Sequence, residues 1–395
     1  MSVPLLESPP QTREEAVSRA RALFPLLREG AQASEEARHL PREMIDALIA
    51  SGLVRTQVPR EFGGTELGLI AHYEIAVELG KAYGSMGWVG SFLIDHPFFL
   101  SHFSPQAQED VWGTDGPDAL IGTSFVPVGR VEPSDGGWRL SGDWAWASGI
   151  GHCQWVMLGG VVSIDGDHQF RLFLLPTTDI EIVDTWYSAG LSGSGSDNVV
   201  VKDVFVPEHR TLYMQPVIDG HAEGAAHYAS PMYRKPLMTY GGHAMVAPAI
   251  GIARGVVEAW QDHVRSKANS YTQEQVAGAI PMQLTLAESA TKIDCADLLV
   301  RRALEMAESD HEVTLEDRVR NRRDITYSTR LLVSAVNDLM GMAGASALRS
   351  ESPIQRGWRD VRAVACHVFC NFNAAGENYG RMSFGFPLNP RDPFH

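Results

Sequence analysis

The segment from Trp138 to Gly149, WRLSGDWAWASG, constrains the fold more than any other part of the chain. Trp138, Leu140, Trp144 and Trp146 alternate with Arg139, Ser141, Asp143 and Ala145 around the turn residue Gly142. A period of two over side chains this large predicts a strand pair with one buried face, because successive strand residues point to opposite sides of a sheet. The small hydroxyl of Ser148 follows directly on the aromatic run, and such a face suits a flat aromatic cofactor.

The texture on either side is different. Ala/Leu/Glu/Arg-rich helical patterns run through Glu14–Ala31, Pro41–Ser51 and Leu69–Tyr83, with Pro41 suited to a first helical turn and Met44, Leu48 and Ile49 on one face. Short β-rich runs punctuated by Gly, Asp and Ser follow at Leu120–Val126, Trp138–Trp146, Trp155–Val162, Phe170–Pro176, Ile180–Thr185 and Val199–Val206. Four long helical patterns close the chain, at Ala244–Ala268, Pro281–Ser309, Val319–Met342 and Trp358–Tyr379. The expected fold is α+β and mostly α. It has a helical unit over 1–118, a small antiparallel β-barrel or sandwich over 119–212, and a four-helix bundle with a preceding loop over 213–395. His209–Thr239, with no clean periodicity, is either a long surface connection or a functional loop, and so a candidate lid.

A chain of 395 residues, 44% hydrophobic and 21% charged, can build two or three packed units. Its net charge of −15 argues against a nucleic-acid partner, which calls for a basic face. Four scattered cysteines without a CxxC pair suit a reducing compartment rather than a disulfide framework. Cys366 and Cys370 lie four apart around His367, but zinc needs further ligands at matching positions, so no metal is expected. The start lacks a basic region followed by an apolar one, and no run of about 18 apolar residues occurs, so neither export nor membrane insertion is expected and the location is cytoplasmic.

An α–β–α order does not identify a function, but the motifs go further. VPREFGGTEL at 58–67, IGTSFVP at 121–127, WAWASG at 144–149 with HCQWVMLGG at 152–160, GLSGSGSDNVVVKDVFVPEHR at 190–210 and GWRDVRAVACH at 357–367 stand in order along the chain. Together they resemble the acyl-CoA dehydrogenase superfamily and, within it, the two-component flavin-dependent monooxygenases that hydroxylate phenols and related aromatics. The resemblance implies an oxygenase component that takes reduced flavin, as FADH2 or FMNH2, together with O2. It implies a C4a-hydroperoxide from which one oxygen atom enters a small aromatic substrate and the other leaves as water. Relatives assemble as homotetramers through C-terminal helices.

Site roles carry over position by position. The resemblance assigns Ser148 a hydrogen bond at flavin N5, which would slow loss of the N5 proton and leakage of hydrogen peroxide; the plain alternative is a turn serine before Gly149. It places His367 near the flavin on the last long helix, where a neutral imidazole both accepts and donates; the alternative is a histidine packed beside Val364, Val368 and Asn371. His96, in IDHPFF, becomes the base that draws on a phenolic proton, with a pKa near its ordinary value, against a residue that merely packs at a helix end before Pro97. Ser124 matches a position beside flavin or substrate, although a strand hydroxyl is the commoner reading. Trp146, Gly149, and Ser192, Gly193 and Ser194 of a loop with free amides complete the expected cofactor set. Phe92, Phe99, Tyr240 and His243 join His96 as a substrate lining by position and residue type.

The departures from the parent dehydrogenases sharpen this. Counting from Arg359–Asp360, the place of their catalytic glutamate falls at Val368, which cannot act as a base. YTQEQVAGAIPMQ at 271–283 has no arginine where tightly held FAD would need one, so flavin binding is weaker, as suits a cosubstrate. No GxGxxG opens a helix after a strand and no GxxxxGK[ST] occurs, so electrons come from a separate NAD(P)H:flavin reductase. Three alternatives stand beside this reading. They are an N-oxygenase of an amino sugar or a hydroxylase of a heteroaromatic such as indole, an acyl-CoA dehydrogenase or oxidase, and a scaffold that has lost its activity.

Overall fold

A computed structural model describes residues 8–164, 166–268 and 272–392. The first residues of the start that was read for a leader, and Tyr271 at the head of the 271–283 segment, lie outside these. The chain opens with helices α1 (Arg13–Ala22), α2 (Phe24–Ala37), α3 (Arg42–Ala50), α4 (Leu69–Ala82), α5 (Gly84–Leu100) and the short α6 (Pro105–Gln108). Thr12 caps α1 by accepting from the Glu15 amide at 3.2 Å. Pro25 in the first turn of α2 divides the expected Glu14–Ala31 pattern into two helices.

Strands β1 (Ile121–Ser134), β2 (Gly137–Ala147), β3 (Trp155–Ile164), β4 (Asp167–Pro176), β5 (Glu181–Val183), β6 (Asp197–Pro207) and β7 (Thr211–Tyr213) form one sheet in the order β5-β6-β2-β1-β3-β4-β7. The expected antiparallel unit is present with one exception, the parallel β1–β3 pair. β1 pairs with β3 through Ile121–Ser124 and with β2 through Arg130–Ser134, and the register shift between Ser124 and Gly129 lets this one strand serve both neighbours.

Beyond the sheet come α7 (Met214–Asp219), α8 (His243–Arg265), α9 (Ile280–Glu308), α10 (Leu315–Met342), α11 (Pro353–Ala365) and α12 (Phe372–Ser383). A capping box of Thr314 and Asp317 starts α10. The expected continuous helix at Trp358–Tyr379 is two helices, broken at 366–371, so Cys366 and Cys370 do not share a helix face. The 209–239 segment is packed down rather than lid-like: Tyr228, Met232, Tyr233 and Leu237 are buried, and Tyr228 donates to Glu61 at 2.9 Å. Among the described residues no helix is long and apolar enough to cross a membrane.

Helix α5 occupies the centre, and each of its residues is buried. That matches a sequence apolar but for Ser85, Ser91, Asp95 and His96, with no wet stripe. The α4, α5 and α8 backbones approach closely because glycines face one another. A Cβ on Gly87 would sit 2.4 Å from Gly80 Cα, and one on Gly251 would sit 2.0 Å from Val77 O. One side of α5 therefore packs on α4 and α8, and the other is left to meet the β unit.

Candidate active site

Trp88, Phe92 and His96 recur at helical spacing along α5, so their side chains form one stripe. Trp88 and Phe92 meet edge to face at 4.7 Å, and Phe92 stacks on His96 at 5.6 Å. Phe99 extends the stripe to Phe125 of β1 at 5.0 Å.

The stripe is tied to the sheet at two places. Trp88 Nε1–H donates to Ser148 Oγ at 2.9 Å. His96 Nδ1 lies 2.5 Å from Ile121 O. A carbonyl only accepts, so His96 carries its proton on Nδ1, and among the described residues none bonds to Nε2. His96 sits inside α5, one turn before its end, rather than as a cap. Its pKa does not stay near the ordinary value: burial pulls it down to about 4, so the ring is neutral at pH 7 with Nε2 as a lone pair.

Ser148 follows β2, and its loop is set by an irregularity in the strand. The β2–β6 register shifts between Trp144 and Ala147, and Trp146 takes φ +71°. The alternation thus holds for Trp138, Leu140 and Trp144, which are buried, and fails at Trp146, which is 63% exposed and meets Trp186 at 6.2 Å. An exposed indole on a constrained backbone is available to stack on a flat ring. Gly149 has φ +68°, and a Cβ there would stand 2.6 Å from Val89 of α5, so this turn accepts only glycine. Its amide donates to Ser194 O at 3.0 Å.

His367 lies just past the end of α11, not on a long helix. Its Nδ1 accepts from the Phe369 amide at 3.3 Å, and its ring is 5.8 Å from Trp88. Desolvation lowers this half-buried imidazole to about 4, leaving it neutral at pH 7. His367 also borders an open cleft of about 840 Å³ lined by Thr329, Asn337 and Asp338 of α10 and by Asn371. Val368, where the resemblance puts a dehydrogenase's glutamate, is 59% exposed.

The remaining candidates fall elsewhere. Ser124 Oγ donates to Ala145 O at 3.0 Å, a strand hydroxyl tying β1 to β2. Ser192–Ser194 form a tight turn packed inward, in which the Ser194 amide donates to Leu191 O at 3.0 Å and is not free for a phosphate. A Cβ on Gly193 would come within 2.4 Å of Ser34 Oγ, which explains the glycine by packing. Tyr240 and His243 meet α5 beside the Trp88 stripe. Tyr240 stands edge to face with Phe98 at 6.0 Å, His243 Nε2 meets His72 Nδ1 at 3.0 Å, and His72 Nε2 donates to Ser91 O at 2.9 Å. With Asp95, 3.9 Å from His243, these groups form the set among the described residues whose ligand atoms come within 4.8 Å of one another. The imidazole nitrogens there are already engaged with each other and with backbone.

Two residues went unnoticed in the sequence. Trp88 precedes His96 by two helical turns and was legible from that spacing. Ser196, 2.8 Å from Ser148 Oγ, lies immediately before the neighbouring strand β6, and nothing in its local sequence pairs it with position 148.

Residues 18–112 match the N-terminal domain of acyl-CoA dehydrogenase, and residues 243–372 match its C-terminal domain. The chain is 37% identical to the oxygenase subunit HsaA of a flavin-dependent monooxygenase from Rhodococcus jostii, over 94% of this chain and 99% of that one. It is 35% identical to the oxygenase component of an FADH2-dependent resorcinol hydroxylase from Rhizobium, covering 98% of each. The crystal structure of a 3-HSA hydroxylase from Rhodococcus superposes with a TM-score of 0.90 at 35% identity, covering 96% of this chain and 99% of that one.

Proposed function

Because the chain belongs to the acyl-CoA dehydrogenase family, in its flavin-dependent monooxygenase branch, we propose that it is the oxygenase component of a two-component system that hydroxylates a small phenolic or related aromatic substrate. The observation that carries this reading is the junction at Trp88. One indole holds the Ser148 hydroxyl, meets the His367 ring and begins the aromatic stripe that ends at His96.

The residues present fit a flavin. Trp146 offers an exposed face to the ring, and Ser148 is half-buried with its oxygen already oriented. Reduced flavin, as FADH2 or FMNH2, supplies the electrons that let O2 give one oxygen atom to the ring and one to water. The chain's own groups do the rest. Ser148 holds a hydrogen bond at N5, and His367, neutral with Nδ1 taken by the Phe369 amide, offers Nε2–H as a donor beside Trp88. The Nε2 lone pair of His96 draws on the phenolic proton, which makes the ring carbon a better nucleophile. Phe92 and Phe99 keep water from this face, and the stripe offers rings rather than cations, which favours a flat aromatic over a sugar nucleotide.

The electrons would come from a separate NAD(P)H:flavin reductase. Exposed Ile280, Leu284 and Leu298 on α9 support a homotetramer built through the C-terminal helices. We assign three domains, 1–118, 119–212 and 213–395, and a cytoplasmic location. Ser148→Ala tests the reading: with reduced flavin, air and a phenol panel, the share of flavin oxidation ending as hydrogen peroxide should rise about fivefold, the equivalent of one hydrogen bond of about 1 kcal/mol. Unchanged coupling in a variant of unchanged melting temperature would remove the N5 role.

A further inference from the structure

Ser148 is the outer end of a line of hydroxyls. Its Oγ lies 2.8 Å from Ser196 Oγ, which lies 2.7 Å from Ser194 Oγ. Ser194 and Ser196 are 1% and 2% exposed. The turn that carries them is fixed by left-handed residues, Leu191 at φ +52° and Gly195 at φ +53°. It is anchored to α11 by the Leu191 amide, which donates to Asp360 Oδ1 at 2.6 Å, and to the Ser148 loop by the Gly149 amide on Ser194 O. The oxygens are thus held in place from both sides.

An inventory of donors and acceptors limits what this line can do. A serine hydroxyl has one proton and two lone pairs, and an indole N–H can only donate. Trp88 therefore occupies one lone pair of Ser148 permanently. The other lone pair and the proton are shared between Ser196 and the open side. If Ser196 donates to Ser148, the Ser148 proton points outward. If Ser148 donates to Ser196, a lone pair points outward. The two patterns interchange by rotation of hydroxyls about their Cβ–Oγ bonds, with no heavy atom displaced and no proton leaving its oxygen.

Flavin N5 presents the same alternatives: it accepts a hydrogen bond when oxidised and carries an N–H when reduced. We propose that Ser196, backed by Ser194, is a positioning residue that reverses the polarity of Ser148. One side chain then serves reduced flavin on arrival and oxidised flavin on departure. This rests on Ser148 being the N5 partner. Without Ser196, Ser148 can still donate to oxidised flavin, but when it accepts from reduced N5–H its own proton has no acceptor. Reduced flavin should lose affinity selectively.

The test is equilibrium binding of oxidised flavin in air and of reduced flavin under anaerobic conditions, by fluorescence and absorbance, using the full chain. Ser196→Ala should weaken reduced flavin about fivefold and oxidised flavin less than about twofold. Ser196→Thr, which keeps the hydroxyl, should restore the wild-type ratio. Ser148→Ala should weaken both forms and make the Ser196 substitution silent. If Ser148→Ala matters and Ser196→Ala binds both forms as wild type does, or weakens both equally, the relay is overturned and the N5 role stands. If Ser148→Ala itself changes neither, the N5 role falls and the relay with it. Should Ser196→Ala melt early, Ser194→Ala supplies the same measurement, with a smaller shift in the same direction expected and equal affinities for wild type and variant overturning the proposal.

Discussion

Along one edge of α5, Trp88, Phe92 and His96 turn toward the β unit; on the edge beside it, Ser91 and Asp95 turn toward α4 and α8, where His72 and His243 meet them. The histidines on both edges are buried, and all are held neutral by desolvation, His72 and His96 at about 4 and His243 well below its ordinary value. Burial and a displaced pKa therefore fail to separate the two edges. The hydrogen-bond inventory does. Both nitrogens of His72 and of His243 are closed off at 2.9–3.1 Å, their two protons directed to Ser91 O and Tyr240 O and their remaining nitrogens set against each other, whereas among the described residues His96 has a partner at Nδ1 alone. A ring nitrogen left open is chemically available, and one shut against a neighbour is part of the packing.

The largest expected effect comes from removing one histidine from each edge. His96→Ala should cut hydroxylated product per folded molecule roughly 100-fold, the lower range of general-base contributions, over and above a lowered melting temperature from the lost contact with Ile121 O. His243→Ala should instead cost about 2–3 kcal/mol of stability by stranding His72, while the folded fraction keeps its turnover. Product assays beside thermal unfolding decide this. If His243→Ala abolished turnover while remaining folded, the second edge would belong to the chemistry and the distinction would be lost.

That distinction was only half legible in the sequence. Strands and helices were, because alternation and helical periodicity are local. So was the order of the units. The bulge at Trp146 was not, since it depends on how β2 registers against β6, and an uninterrupted alternation would have buried that indole. The end of α11 was not legible either, because Cys366–Asn371 carries no proline or glycine to mark a break. Tyr240 and His243 were grouped with Phe92 by residue type, while the contacts of His243 with His72 on α4 and Asp95 on α5 depend on the close crossing of three helices. His96 was found through the resemblance. Its tautomer was fixed only once Ile121 O came into contact.

A smaller effect, about 1 kcal/mol per pH unit, separates the edges by titration. A histidine kept at about 4 in the fold takes up its proton near 6.5 when unfolded, so its contribution to stability is full above 6.5 and is lost as pH falls toward 4. Asp95, raised to about 7 by burial, has the opposite sign, losing its contribution as pH rises from 3.8 through 7. His72, His96 and His243 outnumber Asp95 and Asp360, which packs on Gly84 and is likewise raised to about 7 by burial, so stability should rise with pH between 4.5 and 6. His72→Gln should flatten that rise by at most about 1.4 kcal/mol per pH unit, one proton's worth. Denaturant unfolding at stepped pH measures it, and an unaltered slope would mean that His72 is protonated in the fold. Turnover should show no step near 6.5, because His96 stays neutral from pH 5 to 8.

The smallest effect belongs to Ser124, which the resemblance sets beside flavin or substrate and whose hydroxyl is turned to the backbone of β2. Its proton is committed to Ala145 O, and its side chain is 5% exposed. Ser124→Ala removes one neutral hydrogen bond between β1 and β2, a loss of about 1 kcal/mol in stability. Substrate KM should move less than about threefold, since uniform binding is all a remote hydroxyl can lend. A tenfold rise in KM with melting unchanged would show that the Ser124 oxygen also accepts from the substrate. His96 and Ser124 would then form one phenol-binding pair across α5 and β1, and the pocket face would extend into the sheet.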